Sequence, residues 1–305
     1  VDVISALANT EQPLGRELAA ACLIARAAGE LAQRYFFAWH PSPRGEKAAA
    51  QGGNPGALVV EWKPGDEPVT AADRAVSELC VGSLRREFPA DAVVSEELPD
   101  DGHRRQVART WLIDPIDGTK DFIAGRHGYS VMIGLLVNDR PVLGAIFQPS
   151  STAADDSAGR LFYATLGGGA FALRIETESN SLSQPRRLHV SPVAEIGEAR
   201  MVSSSAGPAG AEPIGSIGVR LSLIAAGERD LYVNLTGHTK LWDSCAPNVI
   251  LHEAGGRLTD LYGRPLDYSD KLSHGDGLVA SNGLLHDQAL AQLRPFAAGR
   301  AKASR

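Results

Sequence analysis

The chain has 305 residues, 44% hydrophobic and 22% charged, enough to build a sizeable core in two ordinary domains or one large one. Its formal charge of −6, from 30 Lys+Arg against 36 Asp+Glu, argues against a nucleic-acid polymer or an acidic membrane surface as main partner, since both select a basic face. No apolar run approaches the roughly 20 residues of a membrane span, and the start carries no charged-then-apolar secretory pattern. Cys22, Cys80 and Cys245 are odd in number and lack C-x-x-C spacing, so neither a zinc site nor a disulfide framework is expected, and a reducing cytoplasm is the expected location.

Residues from Pro13 to about Phe37 read as one long helix, with Leu14, Leu18, Ala21, Ala25, Ala28, Ala32 and Tyr35 at helical spacing and an Ala/Gly content suited to close packing. The next stretch, "HPSPRGEKAAAQGGNPG" (40–56), reads as a mobile loop. "ALVVEWK" is an expected strand and "TAADRAVSELCVGSLRREF" a helix, with Thr70 as N-cap and Asp73 completing a capping box. "AVVSEE" and "TWLID" are short strands that end in acids. "YSVMIGLLV" and "VLGAIFQP" are strands joined by the turn "NDRP", and "LFYAT" and "GGGAFAL" continue an antiparallel meander.

The polar segment Arg174–Arg187 is the expected boundary between a first domain, 1–180, and a second, 181–305. Beyond it, strands at "RLHV", "ARMVSSS", "DLYVNL" and "GLVAS" alternate with helices near Val219–Ala226, Asp243–Ala254 and His286–Leu293, which favours an α/β second half.

The densest chemistry lies in "WLIDPIDGTKDF" (111–122). Asp114, Asp117 and Asp121 crowd the end of an apolar strand, and acids that close repel unless something positive sits among them. Pro115 stiffens the turn and removes a donor, while Gly118 lets the backbone approach a ligand closely. A helix turn starting near Thr119 would offer free N–H groups to phosphate. Hard oxygen ligands without His or Cys point to Mg2+, which keeps waters and binds substrate phosphates. Metal-assisted phosphate hydrolysis follows. The rival aspartyl-phosphate mechanism uses D-x-D-G-T near the chain start, whereas this chain has D-P-I-D-G-T more than a third of the way along. Taken singly, Asp73 reads as a cap, Glu96–Glu97 as a solvated turn, and Asp243 as an acid at the positive end of a helix.

"EPVTAAD" (67–73), "SEE" (95–97), "DPIDGT" (114–119), "WD" (242–243) and "EAGG" (253–256) occur in the order typical of the inositol monophosphatase superfamily, which the chain resembles from about residue 14 to about residue 282. "DGTKDF", "LSLIAAGERDLYVNL…LWDSCAP" and "GRPLDY" look most like its CysQ-type 3′(2′),5′-bisphosphate nucleotidases. The resemblance implies a layered αβαβα sandwich of the inositol-monophosphatase/fructose-1,6-bisphosphatase kind. It also implies lithium-sensitive hydrolysis of 3′-phosphoadenosine 5′-phosphate to AMP in sulfate assimilation.

Carried over motif by motif, Glu96, Asp114 and the Ile116 carbonyl would hold one Mg2+, and Asp114, Asp117 and Asp243 a second. A third ion would lie toward Glu96 and Asp73. Thr119 and Asp73 would activate the attacking water. Gly118, Thr119, Lys120 and Arg220 would contact substrate, with Arg126 a further candidate cation. Trp242 reads as packing that fixes Asp243, and Cys245 as a buried helix thiol rather than a redox switch. Inositol phosphatases place a Glu where this chain has Thr236, and nucleotidases a Ser-x-x-Lys where it has Ile217 and Arg220. The alternatives are an inositol- or sugar-phosphate phosphatase on the same scaffold and, more distantly, a non-catalytic phosphonucleotide sensor. A small-molecule phosphate ester is the expected partner, and a homodimer is compatible with the resemblance.

Overall fold

Helix α1 (Gly15–Trp39) buries Leu18, Ala21, Cys22, Ala25, Ala28, Ala32 and Phe36 along one face. Its small residues let it lie close to a sheet: a Cβ on Gly29 would fall 2.0 Å from the Phe147 ring. The computed structural model describes residues 14–40, 57–63, 67–126, 128–149, 157–176, 182–203 and 213–303, together with Ile4 and Leu7. The expected loop at 41–56, positions 177–181 of the polar segment and the end of "VSSS" lie outside those residues.

The expected strand at 57–63 is shorter, β1 (Val60–Lys63), and it pairs with an unexpected partner, β2 (Glu67–Thr70), as an antiparallel hairpin. Helix α2 (Ala71–Glu87) follows directly, with the Thr70–Asp73 capping box formed as expected. A seven-stranded sheet then runs in sequence order: β3 (Ala92–Ser95), β4 (Arg109–Asp117), β5 (Ser130–Val137), β6 (Arg140–Pro149), β7 (Ser157–Thr165), β8 (Gly169–Glu176) and β9 (Arg186–Arg187). β3 and β4 are parallel and the rest antiparallel. Asn138 and Asp139 both adopt left-handed φ, 50° and 58°, in the two-residue turn between β5 and β6.

Along β5, Val131, Ile133 and Leu135 pack toward α1 and α2, while Met132 packs toward the opposite layer. That layer contains α4 (Ile217–Ala225) and α5 (Leu241–Glu253), the short helix α3 (Thr119–Ile123) lying earlier in the chain. Strand glycines admit α5: a Cβ on Gly134 would meet Cys245 Sγ at 2.6 Å, and one on Gly144 would meet the Ala246 carbonyl oxygen at 2.4 Å. A three-stranded sheet of order β10 (Leu231–Asn234), β12 (Leu278–Ser281), β11 (Arg257–Thr259) forms the next layer. Leu231, Leu261 and Val279 pack there with Ala289 of α6 (His286–Ala303). The order is therefore helices, sheet, helices, sheet, helix, the layered αβαβα sandwich implied by the resemblance.

In the second half, β10 and β11 flank β12 and both pair with it antiparallel, with α5 crossing between them in the chain. β9 extends the first sheet beyond residue 181, and α5 covers that sheet's second face. Among the described residues no helix is long and apolar enough to cross a membrane.

Candidate active site

β4 delivers its acids to the sheet end through an irregularity: its register with β5 shifts between Asp114 and Asp117. The turn then closes at Gly118, whose φ of 95° starts α3 at Thr119, as expected. Glycine is required there by packing, since a Cβ would lie 2.7 Å from the Gly128 carbonyl oxygen and 3.0 Å from Ser216 N. Gly118 thus also approaches the protein's own backbone closely.

A pocket of about 430 Å³ opens at this turn, lined by Glu96, Asp114, Ile116, Asp117, Gly118, Thr119, Lys120, Arg126, Arg220, Trp242 and Asp243. Residues from both halves of the chain meet in it. Asp73 lies just behind: its Oδ2 accepts from Thr70 N at 2.8 Å and Thr70 Oγ1 at 2.6 Å, and its Oδ1 accepts from Thr119 Oγ1 at 3.3 Å. One carboxylate therefore both caps α2 and reaches the Thr119 hydroxyl. The Ile116 carbonyl lies 2.9 Å from the same hydroxyl, so the two acceptors share its single proton.

The acids raise one another's proton affinity. Burial, then the charges of Glu96, Asp117, Asp243 and Asp73, hold Asp114 well above the carboxylate range. Burial, then Glu96 and Asp117, does the same for Asp243. Burial carries Glu96 to about 7, against the pull of Lys63, and carries Asp73 to about 6, against its bonds to Thr70. Asp117 is also raised by burial, opposed by hydrogen bonds from Ser216 Oγ at 2.5 Å and Gly218 N at 2.7 Å and by the Arg220 charge.

Ser216 was not singled out from the sequence. It caps α4 through Val219 N at 2.9 Å while donating to Asp117, so one hydroxyl fixes both the helix and an acid of the pocket. The signal was a serine immediately before an apolar helical run. Lys63 is a second addition: its Nζ lies 3.1 Å from Glu96 Oε1 and 2.7 Å from Glu97 Oε1.

Asp121, the third acid of the crowded turn, serves a different purpose. It is buried, paired with Arg126 at 2.5 Å, and accepts from Gly215 N at 2.7 Å, anchoring the segment that leads into α4. Arg220 is no surface arginine, as a plain helix position would suggest. It is 5% exposed, its Nε donates to the Ser216 carbonyl at 3.0 Å, Nη2 donates to the Gly215 carbonyl, and the guanidinium lies 4.6 Å over the Tyr232 ring. Its Nη1 is buried without an acceptor. Trp242 packs with Leu241, Cys245 and Tyr268. Cys245 is fully buried and burial pushes its thiol up, the setting of an inert thiol. Thr236 lies exposed at the rim, bonded to Asn234. Glu253 of "EAGG" is remote, accepting from Gly167 N and Gly169 N at 2.8 Å to pin the β7–β8 turn.

Among the described residues no three His, Cys, Asp or Glu side chains form a ready-made metal-binding group. Glu96 is engaged by Lys63, and one oxygen each of Asp117 and Asp243 is held by backbone or hydroxyl donors. The donor set nevertheless fits a hard divalent cation. It is all oxygen, and Asp114 Oδ1 is buried with no hydrogen-bond partner, a costly arrangement for a carboxylate unless a cation neutralises it.

The five-layered αβαβα sandwich thus brings an all-oxygen acid cluster beside a short helix start, the combination expected of a phosphatase of the metal-assisted class. The chain belongs to the inositol monophosphatase family, whose model matches residues 15–296. The histidinol-phosphatase of Mycobacterium tuberculosis is 34% identical over 250 residues, 77% of this chain and 88% of that protein. The 3′(2′),5′-bisphosphate nucleotidase CysQ of Aggregatibacter actinomycetemcomitans is 32% identical over 226 residues, 71% of this chain and 80% of its own. In fold, the chain is similar to an IMPase of Thermotoga maritima, with a TM-score of 0.69 at 24% identity, covering 92% of this chain and 97% of that one.

Proposed function

We propose that the chain is a Mg2+-dependent phosphomonoesterase whose substrate carries a second anionic group, and that it removes the 3′-phosphate of 3′-phosphoadenosine 5′-phosphate. Arg220 carries the reading. A rigid guanidinium, tethered through two of its nitrogens and stacked on Tyr232, fixes a positive charge in the pocket wall. A second substrate phosphate would be drawn to that fixed charge. Lys120 adds a further positive charge at the rim.

Glu96, Asp114, the Ile116 carbonyl, Asp117 and Asp243 would hold two to three ions. Mg2+, when bound, supplies charge that acidifies a water and stabilises the leaving oxygen. The protein's own groups do the rest. Thr119 Oγ1, fixed between the Ile116 carbonyl and Asp73, orients the attacking water. Asp73 Oδ1, which accepts from Thr119 Oγ1, receives the proton. Gly118 and Thr119 present backbone N–H groups to the phosphate at the start of α3.

A second reading, histidinol phosphate, is favoured by the 34% identity to the histidinol-phosphatases of Mycobacterium tuberculosis and Streptomyces coelicolor. That substrate brings an ammonium group, which the Arg220 charge in the wall disfavours. Phosphate release from 3′-phosphoadenosine 5′-phosphate, histidinol phosphate and inositol 1-phosphate, measured in parallel with Mg2+, tests the choice. The bisphosphate is expected to have the highest kcat/KM; a preference for histidinol phosphate would overturn the nucleotidase reading and leave the phosphatase class standing.

A further inference from the structure

Among the described residues three aromatic side chains line the acid pocket, and two of them are already covered. Tyr232 is 3% exposed and lies under the Arg220 guanidinium, 4.6 Å away. Trp242 is 8% exposed and packs with Leu241, Cys245 and Tyr268. His238 is the exception. It is exposed, and its ring makes no hydrogen bond, ion pair or ring contact among the described residues.

An exposed histidine on a loop is ordinarily a solvated surface group, but this loop is fastened on both sides of the ring. Asn234, the last residue of β10, accepts through Oδ1 from Thr236 N and Thr236 Oγ1, both at 2.8 Å. Its Nδ2 donates to Thr239 Oγ1 at 3.2 Å. Thr239 is buried, and its carbonyl accepts from His274 N at 2.7 Å, while Leu241 N donates to the Leu272 carbonyl at 3.0 Å. One asparagine thus closes the turn, and the segment 272–274 holds its far end. Lys240 N, next along, donates to Asp243 Oδ2 at 2.7 Å, so the loop runs directly into the acid cluster. The ring is therefore presented by a backbone that binding need not order.

The acids of this pocket suit cations, and Arg220 and Lys120 suit phosphate. A purine brings a flat face that none of these groups matches, and stacking on an aromatic ring is a common way to hold one. We infer that His238 is the platform on which the purine of the substrate stacks, which makes it a residue that selects nucleotides over phosphorylated polyols. The inference rests on the nucleotidase reading and adds to it a place for the base. The ring takes no part in proton transfer; it contributes to binding in the ground state and the transition state alike.

Steady-state kinetics with Mg2+ on 3′-phosphoadenosine 5′-phosphate and inositol 1-phosphate, for the unaltered chain, His238→Ala and His238→Phe, provide the test. Because the side chain is exposed, neither replacement opens a cavity in the core. Loss of a stacked base weakens binding about tenfold, so His238→Ala is expected to raise KM for the nucleotide by about that factor with little change in kcat. The ratio of kcat/KM values, nucleotide over inositol 1-phosphate, should fall correspondingly. His238→Phe keeps a ring face and loses both nitrogens, and it should recover most of the loss. If His238→Ala matches the unaltered chain in KM and in this ratio, the ring lies outside the substrate. If His238→Phe is as impaired as His238→Ala, a hydrogen bond replaces stacking. Either result overturns the platform and leaves the nucleotidase reading standing. Absence of any preference for the nucleotide in the unaltered chain would overturn both.

Discussion

Asp114 shows why single acids in the pocket are poised against the fold until a cation arrives. Its Oδ1 is buried without a partner, and its proton affinity is raised by burial and by four neighbouring carboxylates. A folded-state pKa raised above the unfolded value contributes stability that is present below about pH 4 and lost as pH rises through the folded pKa. In chelator, Asp114→Asn should therefore melt higher than the unaltered chain at pH 8, with the difference shrinking as pH falls toward 4. Excess Mg2+ should reverse the order at pH 8. Denaturation monitored by circular dichroism across pH would show it, and a variant less stable than wild type at pH 8 in chelator would contradict the cost assigned to this carboxylate. Asp73 and Thr119 invite a kinetic test at the same scale. Asp73→Asn and Thr119→Ala should each lower kcat by on the order of 10²–10⁴ with little change in KM, and the double variant should be scarcely worse than either single one. If Asp73 served only as a cap, its replacement would cost about 1 kcal/mol of stability and leave kcat alone.

The elements explain what could and could not be read from the chain. The capping box, the hairpin at Asn138–Asp139 and the helix start at Thr119 were legible because each is a local device written in adjacent residues. The β1–β2 hairpin was missed because β2 begins with a glutamate and a proline, and it is the partner strand rather than local pattern that makes it extended. Arg220 was legible as a helix residue but its burial was not, since that depends on Tyr232 and the carbonyls of Gly215 and Ser216 folding around it. Asp121 and Asp117 look alike in sequence, and only the positions of Arg126 and Ser216 divide them into anchor and pocket acid. Ser216 joins α4 to β4, so Ser216→Ala should do two things. Loss of the cap should cost about 1 kcal/mol in urea unfolding, and loss of a donor should raise the proton affinity of Asp117, so that more Mg2+ is needed for half-maximal activity at low pH. An unchanged Mg2+ requirement would confine Ser216 to the cap. Gly118→Ala should be costlier, because a Cβ there meets both Gly128 and Ser216 in a left-handed conformation.

At the scale of the whole molecule, the sandwich brings chain ends of different layers to one point. β4 and α3 supply Asp114, Asp117 and Thr119 from the large sheet, α5 supplies Asp243 from the second helical layer, and α4 supplies Arg220. The acid cluster is thus held by packing against its own repulsion, and the proposed function requires a divalent cation among these acids for chemistry. The measurement that tests this most directly is phosphate release from 3′-phosphoadenosine 5′-phosphate across a titration of Mg2+, begun in excess EDTA. No release is expected in EDTA, with a rise to full activity as Mg2+ exceeds the chelator, and Asp117→Asn should stay inactive throughout. Full activity in excess EDTA would contradict the account.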